Sequence, residues 1–503
     1  MSTYLVDFFL LLFLFILVVL LIIYAYFQYS YCYWKSKGVP YLKPKFPLGN
    51  NELVGFEAYS YGIENVRWYQ EFKKIGAKFG GAWSWATPVL LLTDPEYYKD
   101  VLVKDFRYFI NRDFYHNPKF DPKNENLFVA VNEDWRQLRH KLSPIFTSAK
   151  MKMMYELVLK CSEPMMDRLR KHAKNNNAVD IREVVASFST DVIGCVAFGL
   201  ECKSFASEEA VFRKMGKEIF RSTPKSKLFL VLSRLCSDTA QKLGVNNIPE
   251  VVTQFFTEII TETIQYRQKN GIKIQDFLDL LIGLYESKEN NFSFNDLIGN
   301  VILFFIAGFD TSSATMSCTL FELAKQPTIQ NKVRDEIYSV LKKHQGKLTY
   351  DAFQEMTYLR QCIDETLRMY PPVQNLARFC EKPYKFKNSN LILDKGITVL
   401  ISTVAVGRDP EYYPNPDLFD PERFNSANKA ARNPFVYLPF GEGPRHCIGK
   451  RFGIMQSSIA LINILKNYKI SISPNSTRSI TLKKGVFLFQ SNETVYLNLE
   501  KVQ

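Results

Sequence analysis

The stretch Phe440-Gly441-Glu442-Gly443-Pro444-Arg445-His446-Cys447-Ile448-Gly449 decides how the rest of the chain is read. Gly441, Gly443 and Gly449 permit turns that a side chain would forbid, and they let the backbone pass close against a flat, bulky object on which Phe440 can also lie. A helical stretch follows, so the Cys447 sulfur stands near a helix N-terminus and beside Arg445, where the thiolate is favoured over the thiol. Such a sulfur binds a metal or attacks an electrophile. The plain alternative is an inert cysteine in a glycine turn.

Upstream, Ser293 to Lys325 is the longest helical pattern, with Ser293 placed to cap, Asp296 in the first turn and Gln326-Pro327 closing the far end. Roughly 30 residues of largely apolar helix need the interior of a domain to cover them. Within it lies Ala307-Gly308-Phe309-Asp310-Thr311. A mid-helix glycine costs about 1 kcal/mol relative to alanine, and a buried acid beside a hydroxyl costs more unless both are partnered. Local rules broken together at one place mark a functional site. The alternative is a surface acid next to a threonine that bonds its own i−4 carbonyl.

Two further pairs share helix faces. Glu365 and Arg368, three apart in Asp364-Glu365-Thr366-Leu367-Arg368, precede Pro371-Pro372, which ends the helix. Trp135 and Arg139, four apart in Trp135-Arg136-Gln137-Leu138-Arg139, occupy another. Taken alone, the first is an ordinary surface ion pair and the second ordinary packing of a cation on an aromatic ring.

The remainder reads as mainly helical with a minor sheet: Pro88-Val89-Leu90-Leu91-Leu92-Thr93 and Thr398-Val399-Leu400-Ile401 are short buried strands, and no repeat is present. At 503 residues and 47% hydrophobic content the chain is a large globular enzyme-sized body. Its net charge of +13 is accompanied by no zinc-finger, RNP-type or clustered basic motif, so nucleic acid is excluded as a partner. Anionic lipid and an acidic protein partner account for the same sign. Nine cysteines lie scattered without a CxxC pair, which points to a reducing compartment and leaves Cys447 as the one whose setting asks for chemistry.

Phe8 to Phe27 carries no charge and at helical rise spans about 30 Å, enough to cross a bilayer. It is too long for the core of a cleaved signal peptide, and no small-residue cleavage site follows it. Tyr24, Tyr26, Tyr29, Tyr31, Tyr33 and Trp34 form an expected interfacial belt, with Lys35, Lys37, Lys43 and Lys45 beyond it and Asp7 before it. The positive-inside rule then puts the N-terminus in the lumen and the body in the cytosol. The expected organisation is an anchor over 1–34, a basic, proline-punctuated stalk over 35–50 and a catalytic domain over 51–503.

In this order, the four motifs resemble those of microsomal cytochromes P450 over the whole chain, including Pro421-Glu422-Arg423-Phe424 near the cysteine loop. The resemblance implies the P450 fold and haem b, with Cys447 as the axial iron ligand whose sulfur favours O–O cleavage. It makes Phe440 and Gly449 part of the haem-binding loop. Trp135, Arg139, Arg378, Arg445 and Arg112 become the groups that hold the haem carboxylates, which forked guanidiniums suit. Glu365, Arg368 and Arg423 become a structural charge network, and Asp310 and Thr311 the catalytic pair that delivers protons during oxygen activation. The strings Ser189-Thr190-Asp191-Val192-Ile193-Gly194-Cys195-Val196-Ala197-Phe198-Gly199 and Ala307-Gly308-Phe309-Asp310-Thr311-Ser312-Ser313 are similar to the clan of vertebrate drug-metabolising and insect detoxification enzymes.

The function implied is a monooxygenase acting on a lipophilic small molecule at the endoplasmic reticulum membrane. No GxGxxG follows a strand, so electrons come from another protein, which the resemblance names as NADPH–cytochrome P450 reductase, with cytochrome b5 a second candidate donor. Arg136, Lys141, Lys450 and Arg451 are the expected docking face. Substrate contacts are expected from the Asn111 to Phe128 loop, the Phe205 to Asn247 region, Phe304, Ala307, Val373, Gln374 and the Val486 to Phe489 stretch with Phe487; Leu228 to Leu232 is an expected membrane-touching patch. A haem-thiolate isomerase or dehydratase, and a membrane-tethered haem sensor or carrier, are the rival readings. The intact Asp310-Thr311 pair argues against both.

Overall fold

A computed structural model describes residues 2–54, 57–59, 62, 64–114, 123, 125–207, 210–219, 221, 248–287, 292–483 and 488–502. They form two units, Met1–Asp113 with Asn375–Ala405, and Phe114–Gln374 with Val406–Gln503. The expected contacts at Leu228 to Leu232 and Phe487 lie outside the described residues, as does most of the Phe205 to Asn247 region.

In the first unit, α1 (Ser2–Tyr31) is long and apolar enough to cross a membrane, and its residues from Tyr4 to Ala25 are exposed. Its last turn is bonded down. Phe27 and Tyr31 are buried, and their rings meet Phe46 and Trp83 edge to face. The indole N–H of Trp83 donates to Ser30 O (3.1 Å) and that of Trp34 to Ala82 O (3.0 Å). The expected aromatic belt therefore splits: Tyr24, Tyr26 and Tyr29 are exposed, whereas Tyr31 and Trp34 belong to the core and the Tyr33 hydroxyl donates to Asp394 (2.8 Å). Gly81 makes room for this, because a Cβ there would sit 2.3 Å from Trp34 Cγ.

The segment expected to be a stalk is likewise tied in. Leu42 N donates to Gly81 O (3.0 Å), Gly81 N to Pro40 O (2.8 Å) and Asn50 N to Trp83 O (2.8 Å). These bonds extend a sheet of β1 (Phe79–Ser84) and β2 (Thr87–Leu92) with two later strands, here β4 (Asn375–Phe379) and β5 (Thr398–Ser402). The order is β1-β2-β5-β4, with β2 and β5 parallel and the outer pairs antiparallel. Leu90, Leu91, Val399 and Leu400 are buried on both faces, which explains why these strands read as unbroken apolar runs.

The second unit is helical. Its relevant elements are α2 (Asn132–Leu142), α3 (Ser148–Lys174), α4 (Ile181–Phe198), α5 (Val211–Ile219), α6 (Phe294–Lys325), α7 (Thr357–Met369) and α8 (Lys450–Asn467). A small antiparallel sheet joins β6 (Tyr468–Ile472), β7 (Tyr496–Lys501) and β3 (Val179–Asp180), in the order β6-β7-β3. Helix α6 begins at the expected capping box of Ser293 with Asp296, and Pro327 opens the next helix. Of the 32 residues of α6, 22 are buried, and the helix packs against α4 and α8. Helix α4 starts on the Asp180 side chain, which accepts from Glu183 N, and ends on Gly199 at φ 64°.

Candidate active site

The cysteine loop is a pair of tight turns. Gly441 and Gly443 lie at φ 67° and 74°, in the left-handed region, and His446 N donates to Gly443 O (3.0 Å). Cys447 N donates to Phe440 O (2.8 Å), which brings the two ends of the loop together, and α8 begins three residues later with Gly449 as its N-cap. Cys447 is exposed.

Arg445 and Arg139 hold the loop from behind. The buried Arg445 guanidinium stacks 4.3 Å from the Trp135 ring centroid and donates to Ala130 O (2.7 Å). Arg139 donates to His446 O (3.0 Å) and faces His446 Nε2 at 3.3 Å, while His446 Nδ1 lies 2.8 Å from Gly443 O. That pattern fits the tautomer with its proton on Nδ1, with Nε2 accepting from Arg139. Burial lowers the Arg139 pKa, and the Cys447 charge opposes that shift.

Phe146 connects the loop to the central helix. Its ring edge lies 3.9 Å from where a Gly449 Cβ would stand, and its face is stacked on Phe304 with centroids 6.0 Å apart. One turn into α8, a Gly453 Cβ would lie 3.8 Å from Ser312 Oγ of α6. On α6 itself Phe304, Ala307 and Thr311 are incompletely covered, although Phe305, Phe309 and Ser312 beside them are buried. Their spacing of three and four puts all three on one face. A largely buried helix thus opens along a stripe beside the cysteine loop.

Asp310 and Thr311 diverge. The Thr311 hydroxyl donates to Ala307 O (2.6 Å), which is the i−4 back-bond of the plainer expectation. Asp310 is no surface acid: it is 7% exposed and lies 3.5 Å from Arg182 of α4. Burial raises its pKa, and Arg182 and Arg213 oppose the rise. Gly308 has a packing cause, since a Cβ there would fall 2.0 Å from Ile193 Cδ1. The glycine therefore lets α4 seat against α6, and Arg182 is a partner that sequence reasoning missed, its only signal being a position far upstream on another helix.

Glu365, Arg368 and Arg423 are brought together. Arg368 makes a forked pair with Glu365 (2.7 and 2.8 Å), and Arg423 Nε lies 3.3 Å from Glu365 Oε1. Asp420 N adds a bond to Glu365 (2.9 Å), and Arg368 donates to Gly407 O (2.6 Å). Val373 bridges to Leu488, and Phe489 N donates to Pro372 O (2.8 Å), with Gln374 buried alongside.

In the first unit Arg378 is 3% exposed; it donates to Ala377 O (2.8 Å), and its Nε finds no acceptor among the described residues. Burial, with the neighbouring Arg112 cation, pulls its pKa down to about 9. Since a guanidinium keeps its proton in proteins, the cost calls for an anion rather than deprotonation. A buried cation that no described residue compensates, beside a second one, fits a group that carries carboxylates, and a thiolate at a helix N-terminus fits a soft metal ligand.

Comparison with known proteins decides which group. The sequence model of the cytochrome P450 family matches residues 60–497. The chain is a cytochrome P450. Among its relatives in Drosophila melanogaster are the probable cytochrome P450 6a14, 40% identical over 487 residues (93% of this chain, 95% of the relative), and the probable cytochrome P450 6a13, 37% identical over 472 residues (94% and 95%). Cytochrome P450 6a8 is 36% identical over 480 residues, again covering 93% and 95%. This P450 is thus a haem-thiolate monooxygenase that binds haem b, of the insect type that its strings around Thr190 and Thr311 resembled. Its fold is the mainly helical one with a minor sheet that the sequence led us to expect.

Proposed function

We propose that this P450 inserts one oxygen atom from O₂ into a lipophilic small molecule, taking electrons from a membrane-bound NADPH-dependent reductase. The observation that supports this reading most is the stripe of Phe304, Ala307 and Thr311 opening beside the Cys447 loop. Haem b, with Cys447 as its iron ligand, supplies the oxygen-activating redox chemistry. The chain's residues do the rest. Arg378, Arg112, Arg445, Trp135 and Arg139 hold its carboxylates, and Phe440 and Gly449 let the loop lie against its ring. Phe304 and Ala307, with Val373, Gln374 and Phe487, orient an apolar substrate and exclude water from it.

Asp310 holds a proton that its burial makes harder to lose, and the Thr311 hydroxyl hands protons on toward the stripe. The two side chains point apart, so a water or a rotation of Asp310 has to join them. Lys450 and Arg451 directly follow the cysteine loop, Arg136 and Lys141 share α2 with Arg139, which bonds that loop, and the four give the reductase a basic docking face. Helix α1 anchors the chain in the endoplasmic reticulum membrane with the body in the cytosol, and Glu365, Arg368 and Arg423 are structural.

The test is reconstitution of the full chain with purified reductase and a panel of lipophilic compounds, first screened for binding by the shift of the haem absorption band. NADPH consumption and an oxygenated product should rise together for compounds that shift the band. Conversion without NADPH would establish an isomerase or dehydratase instead, and band shifts with no turnover for any binder would leave a carrier or sensor.

A further inference from the structure

Besides the cysteine at the site, three others converge on the far side of α4. Cys161 of α3 and Cys195 of α4 are half-buried, Cys202 is buried, and all three are free thiols. Helices α3 and α4 pack along each other, and Cys161 Sγ lies 3.8 Å from Asp191 O, the carbonyl one helical turn before Cys195. Asp191 O is the i−4 carbonyl of Cys195, so this contact sets the Cys161 sulfur against the turn of α4 that carries Cys195. Cys202 Sγ stands 2.1 Å from where a Gly194 Cβ would be, so glycine at that position is what admits the third sulfur.

We propose that Cys161 and Cys195 are an oxidisable dithiol, a modification site that closes to a disulfide on contact with hydrogen peroxide. Cys195 is the attacking sulfur, because the Cys161 thiol keeps its proton on Asp191 O; the contact with Cys161, helped by the Lys160 cation, also lowers the Cys195 pKa against burial. Cys161 and Cys202 are shifted the other way, Cys161 chiefly by its contact with Cys195 and Cys202 by burial. In the reaction the Cys195 thiolate attacks one peroxide oxygen, the O–O bond breaks, and hydroxide leaves as water with a proton, giving a sulfenic acid. The Cys161 thiol then displaces the hydroxyl from the Cys195 sulfur, an S–S bond forms and a second water leaves. Two thiols lose two electrons and one peroxide gains them.

The site has a direct mechanical connection to the active-site helix. A disulfide holds its sulfurs at about 2.0 Å, closer than any hydrogen-bonded pair, so closure draws α4 toward α3. Ile193, two residues before Cys195, is the side chain that fills the Gly308 notch of α6.

The experiment exposes the full-length holoenzyme to hydrogen peroxide and, in parallel, to the thiol oxidant diamide. Free thiols are then alkylated and the protein is digested with trypsin without reduction. The expected result is a cross-link between peptides 161–168 and 183–203 that dithiothreitol releases. It should be lost in Cys161→Ser and Cys195→Ser and kept in Cys202→Ser, with Cys161→Ser trapping a dimedone-reactive sulfenic acid at Cys195. Far-UV circular dichroism and the haem absorption spectrum before oxidation establish that each variant is folded. In folded protein, an internal Cys195–Cys202 bond as the main product, a cross-link that persists in Cys195→Ser, or no cross-link with either oxidant would overturn the proposal.

Discussion

Arg368 and Arg378 are both buried arginines, 2% and 3% exposed, on elements close together in the chain. Arg368 is surrounded by its own counter-charge: Glu365 takes both prongs of its fork, Gly407 O takes another N–H, and Arg423 approaches the same carboxylate from the other side. Among the described residues Arg378 has a single backbone acceptor, an Nε with none, and a second cation, Arg112, nearby. The first arrangement is complete within the chain. The second has no counter-charge among the described residues, so equal burial of one residue type comes with compensation in one place and, in the other, with room for the anion proposed above.

The largest effect is expected from Arg368→Ala, which leaves Glu365 in the interior with Asp420 N and the 3.3 Å approach of Arg423 as its partners among the described residues. Breaking a buried pair in this way costs about 3–5 kcal/mol, so the variant should accumulate poorly and show a lowered chemical-denaturation midpoint whatever the haem supply. A midpoint unchanged from wild type would erase the contrast with Arg378. For Arg378→Ala the expectation is the reverse: fold stability measured without haem is unchanged or raised, while haem affinity falls by about 2 kcal/mol, the worth of hydrogen bonds to a charged group. Haem loss to an acceptor protein such as apomyoglobin measures this directly, and unaltered loss would remove Arg378 from the haem-holding set.

Arg423→Ala should fall between these and the surface norm. It gives up bonds to Pro414 O and Asn415 O and a 3.3 Å approach to Glu365, but leaves the Arg368–Glu365 fork intact. About 1–2 kcal/mol is expected in denaturant titration. The smallest effect concerns Asp310, a third buried charge whose compensation is partial, by Arg182 at 3.5 Å. Because burial raises its folded pKa, the folded chain binds this proton more tightly than the unfolded one. Stability is therefore greater at low pH and declines as pH rises from the usual aspartate range to the raised value. Asp310→Asn should flatten that decline by no more than about 1 kcal/mol in melting experiments across this pH window. An undiminished slope would mean that another acid carries it.

How much of this was legible beforehand depends on whether the cause was local. The capping box at Ser293 and the stop at Gln326-Pro327 act through the chain's own backbone, and α6 has the ends they dictate. The strands at Thr87–Leu92 and Thr398–Ser402 showed as apolar runs because both faces are covered. Reading Tyr31 and Trp34 as part of an interfacial belt went astray because the position of an aromatic beside an apolar helix says nothing of what folds back onto it. The seat for Trp34 is Gly81, far along the chain. The same holds for Gly308, which looked like a functional irregularity and is the notch for Ile193, and for the scattered cysteines, of which Cys161 and Cys195 are neighbours only because α3 packs on α4.

By itself the sequence determined that a thiolate stands at the head of a helix in a mainly helical P450 body with an apolar N-terminal helix, since turn chemistry, capping and periodicity are written within a few residues of where they act. Only the tertiary structure decided that Arg378 has no counter-charge among the described residues while Arg368 has one, and that Asp310 turns from Thr311 toward Arg182. Compensation of a buried charge depends on what distant segments bring to it, and no local pattern records that.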